Sequence, residues 1–266
     1  MNKIDSAISE FRQMDELASG NSPVHRLEAG IKLAVTVFYI ICVVSVDKYR
    51  LSMLTMMIFY PLLMFQAAGL SMSGFFYKLR YVLPLVCMVG VFNPLLDTSP
   101  MMSFGNVSVS GGMISMLTLM GKGIFCLMAS YVLVATTRFD SICAALGRAH
   151  VPRVMVTLML LTYRYVSVMM QEVSVMSEAY ALRAPGQKGI HISAWGSFLG
   201  QMLLRSMDRA QELYSSMLLR GFDGAFRYAS GERAKTRDFV FLTLCLLSFA
   251  VMRFVDIPEL IGSFFV

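Results

Sequence analysis

Long apolar runs alternate with short polar links along most of this chain. Runs close to the roughly 17–25 apolar residues that cross a bilayer fall at residues 31–46, 51–70, 81–96, 114–135 and 239–255. Each is expected to form a transmembrane helix. Residues 47–50 are long enough only for a tight turn, and 71–80, with Lys78 and Arg80, reads as a short polar connection. Residues 97–113 hold no Lys or Arg and read as a loop, within which 104–110 alternates enough for a small hairpin. Ahead of the first run, Ile4, Ile8 and Phe11 share one face of a polar segment, the pattern of a short helix lying on a bilayer surface.

Between residues 138 and 237 the period becomes helical with mixed faces. Three helices are expected there: 139–149, stopped by Pro152; 153–183, ending before Pro185-Gly186; and 193–220. The second carries a polar stripe of Arg164, Ser167, Gln171, Ser174 and Glu178, spaced three and four apart. In the third, Gln201, Arg205, Asp208, Arg209 and Glu212 share a face, with Leu213, Tyr214, Met217, Leu218 and Leu219 on the others. Gly221 stands where a helix end prefers a left-handed residue, which leaves Arg220 at the tip. The preceding helix ends similarly at Arg183, before Ala184. Helices of ~30 residues reach ~45 Å, so the two arginine tips can be held well apart. Two long helices that each end in an exposed arginine suggest a device for gripping another protein.

Composition sets the class. Apolar residues make up 56% of 266 and charged ones 15%, which is too little charge to cover a soluble surface. The chain reads as an integral membrane protein. Thirteen of its 23 Lys and Arg residues lie between 138 and 237. The rule that basic loops face the cytoplasm puts that stretch inside, with the N-terminus inside and 97–113 outside. Residues 154–170 are apolar enough to imitate a span, but a crossing there would split the basic residues between the two sides. Residues 47–50, with two basic residues, alone resist the assignment. The expected architecture is all-α: an N-terminal cytoplasmic segment over 1–30, spans one to four over 31–137, a cytoplasmic module over 138–237, and a last span within 238–266.

Candidate chemistry changes this picture little. The five cysteines are scattered and form no C-x-x-C pair, so they read as buried small hydrophobes. The three histidines are far apart and make no metal cluster. Twenty-three methionines, among them Met113, Met116 and Met120 at one-face spacing, invite a Cu(I) reading. An adaptable packing surface is the plainer account. Lys122, inside the fourth span, is a functional candidate by default. No phosphate loop, metalloprotease motif or nucleophile elbow occurs, and no cleavable leader is visible. The basic excess is what cytoplasmic loops require, so a nucleic-acid partner is not implied.

His25-Arg26-Leu27 with Lys32-Leu33, Phe92-Asn93-Pro94, Thr136-Thr137, Tyr163-Arg164-Tyr165 with Glu172, and above all residues 205–224 resemble the transmembrane component of energy-coupling factor transporters, the EcfT/CbiQ family, and its cobalt-type members most. In that family each of two coupling helices ends in Ala-Arg-Gly. Here the counterparts are Leu182-Arg183-Ala184 and Leu219-Arg220-Gly221, with both arginines kept. The resemblance implies that Arg183 and Arg220 dock into acidic grooves on two cytosolic ABC ATPases, which bind ATP and Mg. Glu172, Glu178, Arg164, Arg205, Asp208 and Arg209 would form the polar face of the coupling helices. It further implies a separate substrate-binding membrane subunit, cobalt or nickel as cargo, and no catalytic residue, metal or cofactor in this chain. The expected place is the inner (plasma) membrane. A transmembrane component serving vitamin-type subunits is the alternative, ahead of a self-sufficient permease or a membrane enzyme, because the spans show almost no polar residues apart from Lys122.

Overall fold

The computed structural model describes residues 3–96, 100–104, 107–187, 189–224 and 235–254. The chain folds as α1 (Lys3–Ala18), α2 (Ala29–Ser45), α3 (Leu51–Met56), α4 (Phe59–Ala68), α5 (Met72–Leu96), a hairpin of β1 (Pro100–Phe104) and β2 (Val107–Ser110), then α6 (Gly111–Thr136). Four more helices follow: α7 (Phe139–Arg148), α8 (Arg153–Arg183), α9 (Ile192–Leu219) and α10 (Thr236–Phe254). It is an all-α membrane protein with one small antiparallel hairpin. Two compact units form, one from Ala18–Arg138 with Glu232–Val266, the other from Met1–Leu17 with Phe139–Gly231.

Two aromatic clusters make the core of the first unit. Tyr39, Tyr60 and Phe249 meet with ring centroids 4.7, 4.8 and 5.3 Å apart, joining α2, α4 and α10. Phe65, Phe75 and Tyr131 join α4, α5 and α6 at 5.5, 5.6 and 5.8 Å. Tyr39 and Phe249 are buried. Close helix approach comes from small residues. A Cβ on Gly121 of α6 would lie 2.7 Å from Leu54 Cδ2 of α3, and one on Gly90 of α5 would lie 3.3 Å from Met116 Cγ. Met116 and Met120 therefore pack against α5, in keeping with the packing account of these methionines.

The segment expected as one helix over 51–70 is broken. Met57 and Ile58 donate three residues back, to Leu54 O and Thr55 O, before α4 begins. Pro61 has no N–H to give to Met57 O, four residues earlier, and a helix cannot pass through unaltered. The freed carbonyl accepts the buried Tyr39 hydroxyl at 2.8 Å. Two further corrections concern boundaries. Residues 72–80, expected as a polar link, are the first turns of α5, with Arg80 exposed at its side. The hairpin starts at Pro100, and residues 111–113 already belong to α6.

Lys122 acts as a helix cap. Its Nζ donates to Val44 O at 3.1 Å and to Val46 O, carbonyls that α2 leaves orphaned at its C-terminus. At the opposite end, buried Lys32 of α2 donates to Thr136 O at 2.7 Å, closing the C-terminus of α6. Antiparallel α2 and α6 thus cap one another with lysines, where the helix dipole also favours a cation. Lys122→Met is expected to cost about 2 kcal/mol, the worth of a hydrogen bond from a charged group. The check is thermal unfolding in detergent, with Lys122→Arg closer to the parent.

By length and composition, three helical stretches suit a membrane crossing: Leu51–Ala68, Gly111–Thr136 and Arg153–Arg183. Ala29–Ser45 and Leu79–Phe92 are shorter apolar helices. α10, expected as a full span, does not meet the same test over the described residues, since Arg237, Asp238 and Arg253 lie within it. α8 meets it although the charge distribution argues against a crossing there.

The second unit has a thin core. Buried Cys143 of α7 faces the interior, as does Val156 of α8. Tyr163 of α8 is sandwiched between Phe139 of α7 and Phe11 of α1, at 4.2 and 5.0 Å. Its hydroxyl donates to Asp15 Oδ1. The N-terminal helix expected on a bilayer surface thus spends Phe11 on a protein contact. The side chains of Ile4 and Ile8 lie outside the described residues.

Candidate functional site

α8 and α9 present the two arginines on ends of different construction. At the end of α9, Phe222 N–H donates to Met217 O at 3.0 Å and Gly221 N–H to Leu218 O at 2.9 Å. This paired closure needs a left-handed residue after the cap, and Gly221 has φ 78°. Arg220 is the C-cap residue, exposed beside Leu219, which is 91% exposed.

α8 closes through a turn instead. Ala184 N–H donates to Tyr180 O at 3.0 Å, and Gln187 N–H donates to Ala184 O at 3.3 Å. Pro185 and Gly186, the latter at φ 91°, fill the middle of that turn in type II fashion. Tyr180 pins the link: its hydroxyl donates to Gln187 Oε1 at 3.0 Å and accepts His191 N–H at 3.4 Å. His191 then caps α9, with Nδ1 accepting Ser193 N–H. Arg183 projects from the last residue of α8 next to Leu182, which is 84% exposed. Lys188 lies outside the described residues.

One carboxylate ties the two long helices together. Arg205 Nη1 donates to Glu172 Oε2 at 2.8 Å, and Arg209 Nη2 lies 3.9 Å from Glu172 Oε1. Arg205 and Arg209 are one turn apart, so both reach the same acid. The remaining polar-face residues do not join this cluster. Arg164, Glu178 and Asp208 are exposed, and Glu178 Oε1 accepts the Ser174 hydroxyl at 3.4 Å. The sequence reading missed the link across helices, because periodicity says which residues share a face but not which faces meet. It also missed the Tyr180 pin, for which Pro185-Gly186 and the nearby His191 were the available signal.

α9 buries none of its residues. Trp195, Leu199, Leu203 and Met207 recur every four residues and are 44, 56, 62 and 53% exposed. An apolar strip of that length marks an interaction surface. Among the described residues, no three His, Cys, Asp or Glu side chains gather closely enough to hold a metal ion. His25 Nδ1 lies 2.7 Å from Ser22 Oγ, and His191 serves the cap already described.

The chain is thus an all-α membrane protein whose two longest helices each end in an exposed arginine. The family described as cobalt transport protein, CbiQ, matches residues 20–229, and the chain belongs to that family. An uncharacterized protein of Methanocaldococcus jannaschii is 22% identical over 179 residues, 66% of this chain and 61% of that one. The nickel permease LarQ of Lactiplantibacillus plantarum is 27% identical over 119 residues, 45% of this chain and 44% of that one. The chain thus spans less than two thirds of the length of either curated relative.

Proposed function

We propose that this chain is the membrane scaffold of an energy-coupling factor importer, carrying ATP-driven motion from two ATPase subunits to a substrate-binding membrane subunit. The observation that carries the proposal is the pair of exposed arginines, Arg183 and Arg220, on the ends of two long helices joined by Glu172. Arginine stays charged and holds a carboxylate with two bonds, which suits docking into an acidic groove. Closure of the ATPase pair would move both tips, and the Glu172 clamp would pass that movement between α8 and α9. The exposed apolar strip of α9 would contact the substrate-binding subunit. Cobalt or nickel is the proposed cargo, supported by the family description and by the name of the permease relative. The proposed place is the inner (plasma) membrane, with the N-terminus and the α7–α9 module on the cytoplasmic side, where ATP is.

The test is uptake of radioactive cobalt or nickel by cells carrying this chain with candidate ATPases and a substrate-binding subunit. Uptake is expected only with all components present. The purified chain alone is expected neither to bind Co²⁺ tightly by calorimetry nor to hydrolyse ATP. Uptake by this chain alone would favour the self-sufficient permease instead.

A further inference from the structure

α1 belongs to the same compact unit as α7, α8 and α9, yet the coupling scheme gives it no part. It precedes residues 20–229, the stretch that matches the family, so its role follows from this chain's own contacts. A helix of its 16 residues is marginal in water when isolated. α1 therefore depends on what it packs against.

Two of its residues converge on one side chain, Tyr163 of α8. Phe11 packs on the Tyr163 ring at 5.0 Å and 40°, while Phe139 of α7 stacks on that ring at 4.2 Å and 16°. Asp15 Oδ1 accepts the Tyr163 hydroxyl. Phe11 and Asp15 are four residues apart, so they share one face of α1 and grip the same residue at its ring and at its tip. Burial, with Asp15 and Asp140 nearby, pushes the Tyr163 hydroxyl well above the usual phenol range, so it stays a donor. A hydroxyl on a carboxylate makes a stronger bond than a neutral pair does.

A side chain clasped at its ring and at its hydroxyl cannot turn with its helix unless those contacts break. Rotation of α8 about its own axis would carry Tyr163 out from between Phe11 and Phe139. The same rotation sets the directions of Glu172 and of Arg183, the latter twenty residues or ~30 Å along the helix. We infer that α1 is a strap on the coupling helix, with Phe11 and Asp15 as positioning residues that fix the rotation of α8 through Tyr163. The strap rests on the coupling role proposed above for the arginine tips. With it closed, a push on Arg183 moves α8 as a rigid lever. With it open, part of that movement is lost in rotation of α8 about its axis.

Hydrogen exchange of the full chain in detergent tests whether Tyr163 holds α1. Phe11→Ala is expected to speed exchange of the α1 amides about tenfold, the scale of a lost aromatic contact. Phe11→Tyr keeps the ring and is expected to match the parent. Arg12→Gln, at an exposed neighbour on α1, is expected to change nothing. Phe11 is only half-buried, so all three variants are expected to fold. The assembled transporter then gives the ATP hydrolysed per ion imported. Phe11→Ala is expected to keep its ATPases and their hydrolysis rate and to raise that ratio about threefold, within the range for residues on a coupling route. Tyr163→Phe, which loses only the hydroxyl, should fall between parent and Phe11→Ala. Equal exchange in Phe11→Ala and Arg12→Gln would overturn the docking of α1 on Tyr163. Faster exchange with an unchanged ratio would overturn the strap and leave α1 a structural helix. A parent chain that recruits no ATPases would overturn the coupling role of the arginines, and the strap's purpose with it, while exchange still reports whether Tyr163 holds α1.

Discussion

Arg220→Ala is expected to abolish ion uptake by the assembled transporter while the chain still inserts and folds. Arg220 is an exposed C-cap, and the bonds that close α9 behind it are all backbone bonds, from Phe222 to Met217 and from Gly221 to Leu218. Removing the side chain leaves that closure intact. What is lost is a guanidinium that would anchor in a desolvated acidic groove, worth roughly 2–5 kcal/mol. A helix-dipole role alone would be worth only ~0.3–1 kcal/mol and would leave uptake nearly normal. Arg183→Ala is expected to act in the same direction but more mildly. Its helix ends in a Pro185-Gly186 turn rather than the glycine closure of α9, and Leu182-Arg183-Ala184 departs further from the family motif. Arg220→Glu should be worse than alanine, since it adds a like charge in the groove and an unfavourable one at a helix C-terminus. Uptake of radioactive ion, normalised to protein in the membrane, measures all three.

The second large effect concerns sidedness. Cysteines placed at Arg148 and at Gln187, which flank α8, are expected to react with an impermeant maleimide only after cells are permeabilised. A cysteine at Val107 should react on intact cells. Labelling that puts Arg148 and Gln187 on opposite sides would make α8 a span. Length and composition allow that, but charge opposes it. Arg164, Glu172 and Glu178 all lie within α8. Each charged side chain at the centre of a membrane helix costs ~2.5–3.5 kcal/mol on insertion scales. In the first half of α8, Val156 is buried and Tyr163 packs against Phe139 and Phe11, whereas Val154, Met155 and Leu158 are exposed.

Much of the helical framework is legible in the sequence because punctuation residues mark it. Pro152 and Pro185-Gly186 bracket α8, and Gly221 ends α9 in the left-handed conformation its place demands. Where interactions cross between helices, the sequence falls silent. The break in 51–70 is not expected from the apolar run, although Pro61 is its available signal, and the freed carbonyl of Met57 is met by Tyr39, on a different helix. Polar residues over 71–80 resemble a link, yet a helix end carries exposed charges such as Arg80 without interruption. Lys122 reads as a functional charge until the carbonyls of Val44 and Val46 are seen beneath it. In the candidate site, the arginine tips are readable from local rules. The meeting of Glu172 with Arg205 and Arg209 is not, because it depends on how two helices cross.

Recovery of ATPase subunits with tagged chain, comparing the parent with the Arg183→Ala/Arg220→Ala double variant, tests the coupling role most directly. The substrate-binding subunit should co-purify with both, since the apolar strip of Trp195, Leu199, Leu203 and Met207 is unchanged. Loss of the ATPases alone from the double variant is the expected result. ATPases retained at the parent level would contradict the role assigned to Arg183 and Arg220.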